Sequence, residues 1–214
     1  MATRKTATPD VLDDTLLRAI AGRGGVRSFA AQAVLVTEED RSDALFIILT
    51  GRVKVYGSAE DGREVVYATQ GAGEYFGELT LDGGPRSASV MTMEATTCAV
   101  VPGVEVRDFL AKHPDFALHL VKKLIRMARS STEHVKSLAL DDVYGRIVKL
   151  LRSLARDEGG VLMLPDKLTQ QDIAERVGSS REMVSRILKP LTAGAYIELR
   201  GGRIALLRKL PARW

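Results

Sequence analysis

Arg86 and Ser87 close a glycine-rich run, GEYFGELTLDGGPRSASV (73–90), in a stretch otherwise given to short alternating segments. A guanidinium offers five N–H donors in a planar fork that suits two oxygens of one anion, and a serine hydroxyl adds another donor. Gly77, Gly83 and Gly84 let backbone N–H groups come close to a ligand. Glu78-Leu79-Thr80-Leu81 can open a short helix there, whose N-terminus favours negative charge. The chemistry on offer is anion binding. A surface loop with an incidental arginine is the competing reading of the same residues.

A second set of residues points to another polyanion. In LTQQDIAERVGSSREMVSRILKPL (168–191), Thr169 and Asp172 have the spacing of a capping box, with Asp where Glu or Gln is commoner. Ala174 permits close helix packing, Gly178 suits a turn four residues on, and Val184 and Ile187 supply the buried side of a second helix. Ser179 and Ser180 stand where that helix is capped. This spacing is a helix-turn-helix signature. The exposed face of the second helix carries Arg181, Glu182, Ser185, Arg186 and Lys189; arginine suits guanine bidentately and glutamate can accept from cytosine. Pro190 is expected to end or kink the helix near its exit. YIELRGGRIALL (196–207) then reads as a Gly-Gly hairpin with Arg200 and Arg203 at its tip, the wing of a winged helix. From Arg181 to Trp214 eight Lys/Arg face two Glu, a net +6, whereas the whole chain carries only +4. Such a basic end on a near-neutral body is an electrostatic footprint for nucleic acid.

Three kinds of element must position these sets. Strands are expected at 34–37, 44–49, 53–57, 64–70, 87–93 and 98–102, with turns at Gly51, Asp61-Gly62 and Gly71, which argues for a sandwich, jelly roll or barrel. A long helix is expected from Phe116 to Leu138, with Leu120, Leu124, Met127, Ser131, Val135 and Leu138 at the steps of three and four of a seam that meets a partner helix. Ser130-Ser131-Thr132 interrupts that seam with hydroxyls. Asp141-Asp142 reads as the N-cap of a further helix over 143–156, VLML (161–164) as a short strand, and DTLLRAIA (14–21) as a short helix after a disordered 1–9. The expectation is an α+β chain: sensor 1–112, dimerisation helix 113–138, DNA-binding domain 139–214.

Other classes find little support. No run approaches the roughly 18 apolar residues of a membrane span, and the polar start has no secretory h-region, so the expected compartment is the cytoplasm. Cys98 is the only cysteine, in a strand-like TTCAVV, which leaves no disulfide and no cysteine metal cluster. An enzyme acting on nucleotides or phosphate esters is the remote alternative; His113, His119 and His134 fall on or beside the long helix with no acidic cluster beside them. No metal is expected.

Gly77-Glu78-Leu79 followed by Arg86-Ser87-Ala88 resembles the phosphate-binding cassette of cyclic-nucleotide-binding domains, and TGRVKVYG (50–57) is similar to a strand of the same β-roll. SLALDDVYGRI (137–147) resembles the hinge, and SREMVSRILKPL the recognition helix, of the cyclic-AMP receptor and fumarate–nitrate regulator family of bacterial transcription regulators. The resemblance covers nearly the whole chain. It implies that Arg86 and Ser87 hold a cyclic phosphate, that Glu78 takes the ribose 2′-hydroxyl, and that amides near Gly77 to Leu79 complete the cradle. It further implies that Ser131 and Thr132 meet the base, Thr132 from the partner subunit of a homodimer. Arg181, Glu182 and Arg186 would contact bases of a TGTGA-like half-site in palindromic double-stranded DNA, with Thr169 and Gln171 on phosphates, and RNA polymerase is the implied further partner. In one respect the chain departs from the family: LTLDGGP is shorter than in the classical receptors. The effector therefore stays open between cyclic AMP, another ligand such as cyclic di-GMP, and none. On this reading Arg86→Leu abolishes nucleotide binding with the fold intact, and Leu124→Glu yields monomers.

Overall fold

The strand Ala44–Thr50 (β3) shows why the N-terminal half folds as it does. Successive side chains of a strand point to opposite faces, and here both faces are apolar. Leu45 and Ile47 look one way, into a core with Ala99 and Val101; Phe46 and Ile48 look the other way, into a core with Cys98, Val53 and Val90. A strand buried on both sides belongs at the middle of a layered structure. The computed structural model describes residues 14–211. The disorder expected at 1–9 lies outside the described residues.

The elements of this half are α1 (Asp14–Ala21), β1 (Gly25–Phe29), β2 (Val34–Val36), β3, β4 (Arg52–Ser58), β5 (Glu64–Gly71), β6 (Tyr75–Phe76), a 3-10 turn (Glu78–Asp82), β7 (Ser89–Thr92), β8 (Thr96–Pro102) and α2 (Gly103–Lys112). They form two four-stranded sheets, β1-β8-β3-β6 and β2-β7-β4-β5. Pairing is antiparallel along the first sheet and wherever β7 meets its neighbours. The sheets close on each other through Phe46, Ile48, Phe76 and Cys98 of one and Val36, Val53 and Val90 of the other. The outer face of the first sheet is covered by α1, α2 and the start of α3 (Pro114–Leu140), through Leu17, Ile20, Val106, Phe109, Phe116 and Leu120. This is the expected β-roll. Sequence reading passed over β1, β6 and α2. The Cys98 thiol is buried and pushed up to about 11 by desolvation, as an inert core thiol should be.

The C-terminal unit is built around Tyr144, Ile147, Val148 and Leu151 of α4 (Val143–Leu154), Ile173, Ala174 and Val177 of α5 (Gln170–Val177), and Val184, Leu188 and Leu191 of α6 (Arg181–Ala193). A third antiparallel sheet, β11 (Ile197–Arg200)-β12 (Arg203–Leu206)-β10 (Val161–Met163)-β9 (Arg156–Glu158), closes that core with Ile197, Ile204 and Leu206. The hairpin turns at Gly201-Gly202, with Arg200 paired to Arg203. Three helices and a winged sheet make a winged helix-turn-helix. α6 continues through Pro190 and ends three residues later at Ala193, so of the expected end or kink the helix does not end at the proline itself. The missing N–H falls in the last turn, and the Pro190 carbonyl still accepts from Gly194 N at 2.9 Å.

Candidate effector cassette and nucleic-acid interface

Gly77 adopts φ 93°, a left-handed backbone that suits glycine, and a Cβ there would lie 2.5 Å from a terminal nitrogen of Arg86 and 2.6 Å from the Ala44 carbonyl oxygen. Its glycine makes room for an arginine of the same chain. Arg86 is only 3% exposed, and it turns inward. Nε donates to Ser42 Oγ at 2.9 Å, and the two terminal nitrogens donate to the carbonyls of Gly77 at 3.0 Å and Ala44 at 2.8 Å. Three of five N–H groups are thus spent on the protein, which leaves two for a further acceptor. Burial pulls the Arg86 guanidinium below its ordinary value, against Asp43, Glu78 and Asp40, which push it up. Ser87 is exposed, Leu79 exposed and Ala88 half-buried.

Glu78 opens the 3-10 turn and is 6% exposed. Its Oε1 lies 3.1 Å from Nζ of Lys123, on α3, while its Oε2 is buried with no hydrogen-bond partner. Lys123 also donates to the Tyr75 carbonyl and stands 3.9 Å from the centre of the Tyr75 ring. That ring is flanked by Phe116 and His119, each 5.8 Å away between centroids. Phe116, His119 and Lys123 share one face of α3 and clasp Tyr75. Burial pulls Lys123 below the ordinary lysine value, and Glu78 pushes it back. Sequence reading missed Lys123, Tyr75 and Ser42. A lysine seven residues after Phe116, in phase with its buried face, was the available signal.

Two of the six residues of the expected seam face inward on the long helix. Leu120 is buried in the core of its own β-roll unit, and Leu124 packs against that core. The apolar stripe turned outward is Leu118, Val121, Ile125, Ala128, Thr132 and Val135, at alternating steps of three and four. Thr132 lies within this stripe, and Ser131 is exposed beside it.

Past α3, Asp142 caps α4 by accepting from Gly145 N at 2.7 Å. Asp141 accepts from Ser137 Oγ at 2.6 Å and pairs with Lys149; these partners hold its carboxyl below the usual range. Arg146 joins the Asp141 carbonyl, at 2.9 Å, to the Val177 carbonyl, at 2.8 Å, at the end of α5. There Gly178, at φ 61°, ends the helix with its N–H on the Ala174 carbonyl.

Thr169 and Asp172 form the capping box, so the Thr169 hydroxyl proton is spent on Asp172 Oδ2 at 2.6 Å. Gln171 donates to Glu175 at 3.0 Å. Ser180 caps α6 by accepting from Met183 N at 3.2 Å. Arg181, Glu182, Arg186 and Lys189 are exposed, and no hydrogen bond or ion pair to another described residue holds them. With Gln170, Ser185 and Pro190 they line an open hollow of about 600 Å³. The wing arginines differ. Arg200 pairs with Glu198 at 2.7 Å near the tip, whereas Arg203 turns back to the Leu164 carbonyl, at 2.7 Å, and to Glu158.

A β-roll with a glycine cradle, joined by a long helix to a winged helix-turn-helix with an unpaired basic reading face, defines a ligand-responsive DNA-binding protein. Residues 26–113 match the family model of the cyclic nucleotide-binding domain, and residues 145–210 that of the Crp-like helix-turn-helix domain. The chain is 34% identical over 174 residues to the CRP-like cAMP-activated global transcriptional regulator of Mycobacterium tuberculosis, covering 79% of this chain and 78% of that one. It is 31% identical over 187 residues to the cAMP-activated global transcriptional regulator CRP of Escherichia coli O157:H7, covering 85% and 89%. The c-di-GMP responsive global regulator CLP of Xanthomonas campestris shares the fold, with a TM-score of 0.80 at 23% identity over 91% of this chain and 99% of that structure. The chain belongs to the CRP family of ligand-responsive, DNA-binding transcription regulators.

Proposed function

We propose that this chain is a homodimeric regulator whose effector is cyclic AMP, with 1–112 as sensor, 113–138 as dimerisation helix and 139–214 as the DNA-binding end. The cyclic phosphate sits against Arg86, Ser87 and the backbone from Gly77 to Leu79, flanked by Ala88. The ribose 2′-hydroxyl donates to Glu78, and the base meets Ser131 and Thr132 of the long helices. The observation that carries this reading is Glu78 Oε2, a buried acceptor without a donor; leaving such a group unpaired costs about 1–3 kcal/mol, which a ligand hydroxyl recovers. Relatives of this chain bear the name cAMP-activated. Arg181, Glu182 and Arg186 read bases, Ser180 and Lys189 border them, and Thr169, Gln171, Arg200 and Arg203 attend the phosphates. RNA polymerase is the further partner this reading expects, and the cytoplasm of a bacterium its setting.

A second reading, cyclic di-GMP as effector, draws support from Arg86, which spends three N–H groups on the protein and so offers a phosphate only a reduced fork. Isothermal calorimetry with each nucleotide separates the two. Binding of cyclic AMP at a 1:1 ratio per subunit supports the first reading. Binding of cyclic di-GMP alone moves the effector to the second, and heat from neither removes both.

A further inference from the structure

Lys123 is 12% exposed in its side chain, yet it is a lysine on the helix that covers the β-roll. A buried ammonium needs a reason, since desolvating it costs several kcal/mol unless it is well paired. An ammonium has three N–H groups, and here all three directions are used: Glu78 Oε1, the Tyr75 carbonyl, and the face of the Tyr75 ring. Nothing is left over for a ligand. What Lys123 fixes is Glu78, and it fixes it in a particular way. One carboxylate oxygen is taken, and the other, buried and without a partner, is left as the single acceptor for an incoming donor.

Building on the cyclic-nucleotide reading, we propose that Lys123 is a positioning residue that sets this site's demand for a sugar hydroxyl. Its ammonium occupies Oε1, which leaves Oε2 as the fixed acceptor that an incoming donor meets. A hydroxyl that donates to a carboxylate makes a charge-assisted hydrogen bond, roughly twice as strong as one between neutral groups. The same acceptor oxygen has no donor to offer a phosphate, which steers the anionic end of the ligand away from Glu78 and toward Arg86. Without Lys123 the carboxyl loses the contact that holds Oε1, and its place in the site is no longer fixed. A carboxyl that is not held presents no single set acceptor, so a sugar that lacks the hydroxyl is at little disadvantage.

The test compares cyclic AMP with 2′-deoxy cyclic AMP by calorimetry on the full chain, in wild type, Lys123→Met, Lys123→Gln and Lys123→Arg. Wild type is expected to prefer the ribose form by roughly tenfold to a hundredfold. That ratio falls to a few-fold in Lys123→Met and Lys123→Gln, and Lys123→Arg restores it. A structural lysine would weaken both ligands together and leave the ratio alone. Should Lys123→Met fail to fold, Lys123→Gln, which keeps an N–H donor without the charge, carries the comparison. An unchanged ratio in either neutral variant overturns the proposal, as does a wild type that binds both ligands equally. A wild type that binds neither nucleotide overturns the cyclic-AMP reading itself, and this inference with it.

Discussion

The effector cassette and the recognition helix both depend on arginine, and they hold it in opposite ways. Arg86 is buried, with three hydrogen bonds to its own chain, and its neighbour Glu78 is locked by Lys123. Arg181 and Arg186 are exposed and tied to no other described residue. A small ligand that must be told from close analogues rewards a pre-set site, because the ordering cost is met during folding. A DNA groove offers many phosphates and base edges, and long free side chains search it at low cost to the fold. The two regions therefore respond differently to the same kind of mutation.

Arg86→Leu should break the cassette hardest. It removes effector binding and takes the guanidinium donors from Ser42 Oγ and the Ala44 carbonyl, while the Gly77 carbonyl keeps the Thr80 hydroxyl at 2.9 Å, so urea unfolding should show a loss of about 1–3 kcal/mol. The long helix gives the next contrast. Leu124→Glu puts a charge against the β-roll core and should cost roughly 2–4 kcal/mol of stability. Ile125→Glu, on the outward stripe, should leave stability within about 0.5 kcal/mol and turn dimers into monomers in sedimentation. Arg181→Ala should spare the fold and cost about 1–3 kcal/mol of binding to a specific site. Equal weakening on specific and random DNA in a competition titration would make Arg181 a phosphate contact.

The smallest effect lies at the hinge. Lys149 and Ser137 lower the Asp141 pKa in the folded chain, so Asp141 stabilises it above the ordinary carboxylate value near 4, and that contribution is lost as pH falls through the lowered folded value. Asp141→Asn should flatten the acid limb of a melting-temperature profile below about pH 4 and change it little at pH 7.

The helix-turn-helix was legible because its signals are local: a cap at Thr169, a small residue at Ala174, a left-handed Gly178 and a cap at Ser180 fall within a dozen residues. The Gly-Gly wing was legible for the same reason. The strand β1, with Gly25, Val26, Arg27 and Ser28 exposed, has no apolar alternation to announce it and exists because β8 pairs with it. The inward burial of Leu120 and Leu124 was not legible, because α3 carries two apolar faces and periodicity alone cannot say which one its own domain covers. Lys123 was invisible for a related reason. A lysine reads as solvated until the fold brings Glu78 and the Tyr75 ring to it. The inward turn of Arg86 likewise depends on Ser42 and Ala44, residues remote in the chain that only the sheet brings close.

On the function proposed above, occupancy of the Glu78–Arg86 cassette controls the Arg181–Arg186 face. A ligand can do this only by binding the DNA-competent arrangement more tightly than the other. Fluorescence anisotropy on a labelled TGTGA-type palindrome, titrated with protein with and without saturating cyclic AMP, measures that difference. At least a tenfold tightening with the nucleotide is expected, which corresponds to about 1.4 kcal/mol of coupling. Identical affinities in the two titrations, with the nucleotide shown by calorimetry to be bound, would contradict it.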